Sequence, residues 1–412
     1  MSADHLILIV GGGLGGLSAA LALGRSGWRV RVLEEAPAFG AIGYGIQLGP
    51  NVFPMFERLG VAAAVLQQAS LPPAVVMLDA LDGEEVARIP TGDSFRRRFK
   101  HPYIIIHRID LHQVLLDACR ASPNITLVPS ARVFAIEDDG AQVRVRTEDG
   151  ASHAGAAVIG ADGLGSRVRA QLHNEGPPRL VGYVAHRTIV PMARVPDGVP
   201  REEVVLWGGP GYHIVHYPLR HGSVFNIVAV FRTSTYADKG DARSHRAELE
   251  RTYGDAHPAM QALLALMDLE RRWAISDRDP IRHWHKGRAV LLGDAAHPTL
   301  QSLAQGACMA IEDAVCLAEL INLTRGDFEL AFRQYEAARL VRTARVQLES
   351  RTLWEFYHAA GIARDVRKLT VADWSEAHMF DCLAWLYDGF ALEHDPEKRI
   401  PVFGKDHAPP IK

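Results

Sequence analysis

Gly11, Gly13 and Gly16 stand in the spacing Gly-x-Gly-x-x-Gly, and Glu34 follows eighteen residues after the last of them. Glycines so placed allow a tight turn, let backbone approach a pyrophosphate and let a helix pack closely on a strand. The backbone of Leu14, Gly15 and Gly16 then opens a helix whose free N–H groups and positive dipole end suit phosphate. An acid where Glu34 stands is placed for a ribose hydroxyl, so the stretch reads as a dinucleotide site. Two more acid–glycine pairs follow apolar runs, Asp162-Gly163 and Gly293-Asp294, and Gly306-Ala307 begins a further helical run. The last group with chemistry lies in Tyr212-His-Ile-Val-His-Tyr-Pro-Leu-Arg220. On a strand, His213, Val215 and Tyr217 share one face and His216 points away. That parity argues against a zinc site from His213, His216 and His221, although their spacing invites one.

These residues need elements to carry them. Leu6–Val10 is an apolar run of the buried parallel-strand type, Leu14–Arg25 has helical spacing, and Trp28–Leu33 alternates as a strand. Phe39–Gln47 is a glycine-rich loop in which Gly45 and Gln47 lie where backbone meets a flat ligand. Pro50–Gln68 reads as a helix, Met77–Ile89 and His101–Ile106 as strands, and Arg108 to about Cys119 as a helix. Val143–Arg146 runs into a hairpin turn at Glu148-Asp-Gly150, and Ala157–Gly160 is a second buried strand. The texture is β from Leu180 to about Arg232, then one or two helices fill 244–268. Ala289–Leu292 is a third buried strand, followed by helical texture through Leu353, a smaller helical region to about Tyr387 and a tail past Glu393.

This order implies an α/β, Rossmann-like nucleotide fold that is left and re-entered. The nucleotide domain is assigned to 1–75, 103–178 and 270–345, an inserted β-sheet substrate domain to 76–102 and 179–269, and a helical C-terminal region with a tail to 346–412. The site is expected where the two domains meet. The chain has 412 residues, ordinary apolar and charged content and a net charge of −3, which gives no reason to expect nucleic acid. The start Met-Ser-Ala-Asp-His lacks a basic leader, no run is long enough to span a membrane, and four scattered cysteines read as reduced packing residues. A cytoplasmic protein is expected. Arg333, Arg339, Arg342 and Arg345 with Glu336 read as a solvated helix face, and His297 as a hydrogen-bonded structural histidine.

Taken together, the glycine turn with Glu34, Asp162-Gly163 and Gly293-Asp294 resemble the single-component FAD-dependent aromatic hydroxylases, a para-hydroxybenzoate hydroxylase type of fold, over about residues 5–350. The resemblance implies FAD held by Gly11, Gly13, Leu14, Gly15, Gly16, Glu34, Gly45, Gln47, Arg108, Asp162, Gly293, Asp294, Gly306 and Ala307. The Asp162-Gly163 pair would serve reduced nicotinamide as well. A helix start at Gly306-Ala307 would stabilise the anionic reduced flavin by roughly 0.3–1 kcal/mol, or up to about 2 when partly buried. The resemblance also implies NADH and O₂ as co-substrates, a small aromatic acid as substrate and a homodimer. No metal is implied.

Within the family, Tyr212–Arg220 and His297-Pro-Thr-Leu-Gln-Ser-Leu-Ala-Gln-Gly306 narrow the likeness to enzymes that hydroxylate 3-hydroxybenzoate para to its hydroxyl, giving gentisate. Many relatives, the salicylate hydroxylases included, carry proline where this chain has Gln301. In that reading a flavin C4a-hydroperoxide delivers electrophilic oxygen to a ring activated as the phenolate. His213 is the base, worth about 10²–10⁴ in rate, Gln301 orients the phenolic oxygen and Tyr217 donates to the substrate. One stretch departs from the family pattern: Tyr183-Val-Ala-His-Arg-Thr188 stands in place of Tyr-x-x-Tyr-Arg-Gly, so His186 and Thr188 bear on substrate choice. Alternatives are salicylate or another hydroxybenzoate as substrate, a flavoprotein oxidase or reductase that does not hydroxylate, and a non-catalytic nucleotide-binding regulator.

Overall fold

The computed structural model describes residues 6–40, 43–173, 175–234 and 241–390. Readings that touch the first five residues, Ala41 and Ile42 of the glycine-rich loop, and the tail past Glu393 lie outside the described residues.

A six-stranded sheet is centred on Leu6–Val10, in the order 285–286, 289–291, 157–160, 6–10, 29–33, 125–128. Ile7 lies opposite Ala157 on one side and Val30 on the other, and both pairings are parallel. Helices pack on this sheet and the hairpin strand 152–155 lies against Leu6–Val10, so Ile7, Leu8, Ile9, Val158, Ile159 and Val290 are wholly enclosed; continuous apolar runs are what such strands require. The helices Leu14–Arg25 and Gly306–Leu323 pack on one another here.

The second sheet has seven strands in the order 273–277, 179–191, 224–232, 212–219, 204–209, 74–79, 85–90. All pairings are antiparallel except 204–209 with 74–79. Its outer face carries Ile214, Phe225, Ile227, Ala229 and Phe231 against Leu249, Tyr253, Met260 and Leu263 of the helices Ala242–Thr252 and Pro258–Leu264. The opposite face is turned to the first sheet. A hairpin sheet of 133–138, 143–147 and 152–155 and a two-stranded ribbon of 45–48 with 104–107 complete the strands.

Several elements differ from the sequence reading, each for a local reason. Met77–Ile89 is a hairpin, Ala74–Asp79 and Glu85–Pro90, because Asp79 accepts the N–H groups of Leu81 and Asp82 and Gly83 takes φ +78. Pro50–Gln68 is three short helices, with Gly60 left-handed between Phe53–Leu59 and Ala62–Gln68. The end of the glycine-rich loop is a strand, Gly45–Leu48. The segment from 270 first supplies Trp273–Asp277 to the edge of the second sheet before it returns to the first.

On the long helix Phe328–Tyr357, Arg333 is exposed and Arg345 half-exposed as expected, but two of the arginines read as solvated are not. Arg339 is wholly buried on Glu312 and Asp313, and Arg342 is paired with Glu312. A sequence periodicity shows charge spacing, but not the two acids of a neighbouring helix that draw it inward. Cys119, Cys308 and Cys316 are buried as packing residues, whereas Cys382 is exposed.

Candidate active site

The glycine turn is sterically closed around itself. A Cβ on Gly16 would lie 1.9 Å from the Gly11 carbonyl oxygen, and Gly11 has φ +105 beside Ala161. No side chain caps the helix that follows, and its first turn holds no acid. Gly13, Leu14 and Gly15 therefore present an unblocked helix start to a cavity of about 420 Å³. That size is ordinary for a small-molecule site. The uncapped start of Gly306–Leu323, at Gly306 and Ala307, borders the same space, as do Gly293, Asp294, Gly45, Gln47 and Arg108. Asp294 is exposed to this cavity, and the desolvating walls around it raise its carboxyl above the usual range.

Glu34, Gly11, Gly16 and Asp162 stand behind this wall. The Glu34 carboxylate accepts from the N–H groups of Gly12 (2.7 Å) and Ala36 (2.9 Å), at the end of strand Arg29–Leu33. Asp162 accepts from Ser166 Oγ and from the N–H groups of Arg167 and Val168, so its carboxylate organises the start of helix Arg167–Leu172 while Gly163 faces the cavity.

The second sheet supplies the other wall. His213, Val215 and Tyr217 line it from strand Tyr212–Leu219, while His216 lies on the outer face and accepts from Trp207 Nε1 at 3.0 Å. Burial lowers the His216 imidazole to about 3 and holds the wholly enclosed His213 imidazole well below 6.5, so both are neutral near pH 7. Burial likewise raises the Tyr217 phenol, leaving it protonated as a donor. The Gly45 ribbon presses onto this strand. A Cβ there would lie 2.4 Å from the Tyr217 ring, and the Gly45 N–H donates to Asn226 Oδ1 at 2.8 Å.

Arg187 was missed by reasoning from the sequence, although it sits in a stretch already singled out. On strand Arg179–Pro191 it shares the inner face with Tyr183 and Ala185, and it lines the cavity. Its neighbours His186 and Thr188 face outward: His186 bonds the Arg271 carbonyl and Thr188 accepts from the Asp268 N–H. The departures from the family pattern at 186 and 188 therefore do not touch the cavity. Arg187 Nη2 donates to Gln301 Oε1 at 2.8 Å. Because guanidinium only donates, this bond fixes the amide with its oxygen on Arg187 and its NH₂ free to donate. Burial lowers the Arg187 guanidinium pKa, and among the described residues no carboxylate pairs with it.

Tyr357 was also missed. It ends the long helix Phe328–Tyr357, lines the cavity and donates to the Ser302 carbonyl. Behind His213 lies His358, with His213 Nδ1 and His358 Nε2 2.8 Å apart. Nothing in the local sequence around 358 signals this; only the packing of helix on sheet does. His297 is hydrogen-bonded to Asp313, whose carboxyl burial would raise but His297 and Arg339 draw down to about 2. Among the described residues no cluster of three or more His, Cys, Asp or Glu side chains is arranged to hold a metal ion.

The two uncapped helix starts, the buried Gln305 Nε2 with no partner and the cavity-facing Asp294 fit a flavin dinucleotide. With a Rossmann-type sheet facing a second sheet across this cavity, the family match and the relatives place the chain among the FAD-dependent aromatic monooxygenases. The FAD binding domain family matches residues 4–350, and the chain belongs to that family. It is 42% identical over 385 residues to 3-hydroxybenzoate 6-hydroxylase from Polaromonas naphthalenivorans (strain CJ2), covering 93% of this chain and 96% of the relative. It is 36% identical over 350 residues to 6-hydroxynicotinate 3-monooxygenase from Bordetella bronchiseptica, covering 84% and 91%. Among solved structures it resembles Klebsiella pneumoniae HpxO complexed with FAD and uric acid, with TM-score 0.81 and 26% identity over 93% of this chain and 97% of that one.

Proposed function

We propose that the protein hydroxylates 3-hydroxybenzoate at C6, para to its hydroxyl, to give 2,5-dihydroxybenzoate (gentisate), consuming NADH and O₂. The observation that carries this reading is the cavity that His213, Tyr217, Gln301 and Arg187 line together. It offers a neutral base, two hydrogen-bond donors and one cation without a carboxylate, which match a phenol and a carboxylate on one ring. Bound FAD would supply an electrophilic oxygen atom derived from O₂.

The chain's own residues do the rest. His213 takes the phenolic proton, which raises electron density at the carbon para to the oxygen. The Gln301 NH₂ donates to that oxygen, and Tyr217 holds the ring by its hydroxyl. Arg187 is the match for the carboxylate, because a half-buried cation with no carboxylate partner among the described residues favours an anionic ligand. Cofactor contacts fall to Gly13, Leu14, Gly15, Gly45, Gln47, Arg108, Gly293, Asp294, Gly306 and Ala307, which line the cavity. Gly11, Gly16, Glu34 and Asp162 shape the turns behind them. Seclusion from water guards against loss of the oxidant as H₂O₂.

NADH rather than NADPH and a homodimer complete the proposal and rest on the family resemblance, and a cytoplasmic setting rests on the scattered cysteines. The test is NADH consumption with 2-, 3- and 4-hydroxybenzoate and with 6-hydroxynicotinate, each with product identification. Gentisate from the 3-isomer, coupled to NADH use, is the expected result. Coupled turnover confined to another ring would overturn the substrate, and peroxide without hydroxylation on every ring would overturn the reaction. The 6-hydroxynicotinate arm is included because a relative of that name matches over most of this chain.

A further inference from the structure

We infer that Tyr357 is a positioning residue for Gln301: its hydroxyl holds the loop that carries Gln301 and so sets where that amide meets the phenolic oxygen. The inference rests on the reading that Gln301 donates to that oxygen. Gln301 opens a single 3₁₀ turn, Gln301–Leu303, which ends at Ala304 in the left-handed region at φ +53. So short a turn gains little from its own hydrogen bonds, and a left-handed alanine is costly, so contacts from outside must hold it. One face of the long helix Phe328–Tyr357 provides them. Gln347, Ser350 and Tyr357 stand at i, i+3 and i+10, on one side of that helix. Gln347 Nε2 donates to the Pro298 carbonyl at 3.0 Å, and Ser350 Oγ accepts from Thr299 Oγ1 at 2.8 Å. The Ser350 carbonyl accepts from Ser302 Oγ at 2.5 Å. Tyr357 completes the row, its hydroxyl donating to the Ser302 carbonyl at 2.9 Å. The loop is thus fixed on both sides of Gln301.

Tyr357 differs from the other two helix residues in its place. Gln347 and Ser350 are buried, whereas Tyr357 also lines the cavity beside Gln301. A phenol has one hydrogen to give. Here it is spent on the Ser302 carbonyl, so Tyr357 is not a donor to a ligand in the cavity although its ring borders one. Burial raises its phenol pKa, so that hydrogen stays in place across the neutral range. The ring stands edge-on to His213, with centroids 5.8 Å apart and planes at 67°. One side chain therefore meets the base with its ring and the Gln301 loop with its hydroxyl. From across the cavity, Arg187 Nη2 donates to Gln301 Oε1. Arg187 decides which way the amide faces, and Tyr357 decides where its backbone stands. Both matter, because a misplacement of about 1 Å in a positioned group can cost about 10²-fold in rate.

The test uses the FAD-loaded enzyme as wild type, Tyr357→Phe, Gln301→Ala and the double variant. Tyr357→Phe deletes only the hydroxyl and keeps the ring against His213. Binding of 3-hydroxybenzoate is compared with that of benzoate, which has the carboxylate but no phenol, through the change each makes in the flavin absorbance. Tyr357→Phe is expected to bind FAD and benzoate within about twofold of wild type, yet 3-hydroxybenzoate about three- to tenfold more weakly, the range of one hydrogen bond. The double variant should bind 3-hydroxybenzoate no more weakly than Gln301→Ala alone, because Tyr357 acts through Gln301. Wild-type affinity for both acids in Tyr357→Phe would overturn the inference. Equal losses for both acids would also overturn it, since they would mark a general loosening of the cavity. Additive losses in the double variant would show the Tyr357 oxygen meeting the ligand itself, against a positioning role. If Gln301→Ala keeps the wild-type preference for 3-hydroxybenzoate over benzoate, the reading of Gln301 fails and the inference with it. A preference lost in Gln301→Ala but kept in Tyr357→Phe leaves that reading standing and overturns the role of Tyr357 alone.

Discussion

At the scale of single residues, strand parity separates two histidines three positions apart. His213→Ala is expected to retain FAD and hydride acceptance but to lose hydroxylation by about 10²-fold or more. High pH should partly restore it, because a phenol with pKa near ~10 then ionises unaided. His216→Ala removes a partner of Trp207 on the outer face and should leave coupling largely intact. Measured coupling of NADH use to product in the two variants checks this; the reverse ranking would refute the register and the base together. Arg187→Gln should weaken 3-hydroxybenzoate binding by about 10–150-fold, the equivalent of the roughly 1.5–3 kcal/mol of a hydrogen bond to a charged group. Binding of 3-hydroxybenzamide, which has no negative charge, should change little. Equal losses for the acid and the amide would show that Arg187 acts by shape or by holding Gln301.

At the scale of elements, the C-terminal helices are tied to the second sheet by buried charge. Asp79 is wholly enclosed, receives Arg364 and Arg367, and bends the hairpin on its own strand. Arg367 also donates to the carbonyls of Phe356 and Tyr357, next to the residues that back the cavity. Asp79→Asn leaves the buried Arg367 short of its counter-charge, while Arg364 keeps Asp82, and loss of one partner from a buried pair costs about 3–5 kcal/mol. A lower denaturation midpoint together with poorer coupling is expected; a variant as stable as wild type would show the latch to be ornamental. Acid should loosen the second sheet for a separate reason. Burial lowers His186 to about 4 and His216 to about 3, against 6.5 for a free imidazole. The unfolded chain therefore binds protons that the native chain refuses. Stability is unaffected above about pH 6.5 and falls below it towards the folded values, by up to about 1.4 kcal/mol per pH unit for each ring. Denaturant midpoints at pH 7.5 and 5.0 should differ less for His216→Leu than for wild type.

At the scale of the whole molecule, the cavity exists only because two sheets and a terminal helix each lend one wall. A ligand bound there is bound by the native state alone and stabilises it, by about 2.7 kcal/mol at a hundredfold excess over Kd. Thermal unfolding of stripped protein should shift upward as FAD is added. Gly13→Val, which places a side chain at the open helix start, and Glu34→Ala, which frees the Gly12 and Ala36 N–H groups, should bind flavin weakly and show a smaller shift. Full, tightly held FAD in both variants would contradict the assignment of the glycine turn.

Short-range regularities made much of this readable in advance. The run Leu6–Val10, the helix Leu14–Arg25 and the faces of 213, 215 and 217 follow from period and spacing, since a strand alternates whatever its partners are. The polar turn residues Glu34, Asp162 and Asp294 were legible because they close apolar strands. What tertiary structure decided was every match between distant elements. Arg339 is buried because Glu312 and Asp313 meet it from another helix. Arg187 faces the cavity and His186 does not because the sheet presents only one face inward. His358 reaches His213 across 145 positions of chain. A local sequence carries the period of an element but not the identity of what packs against it. Pairing of charges, seclusion of a histidine and the neighbour that hydrogen-bonds it depend on that identity alone.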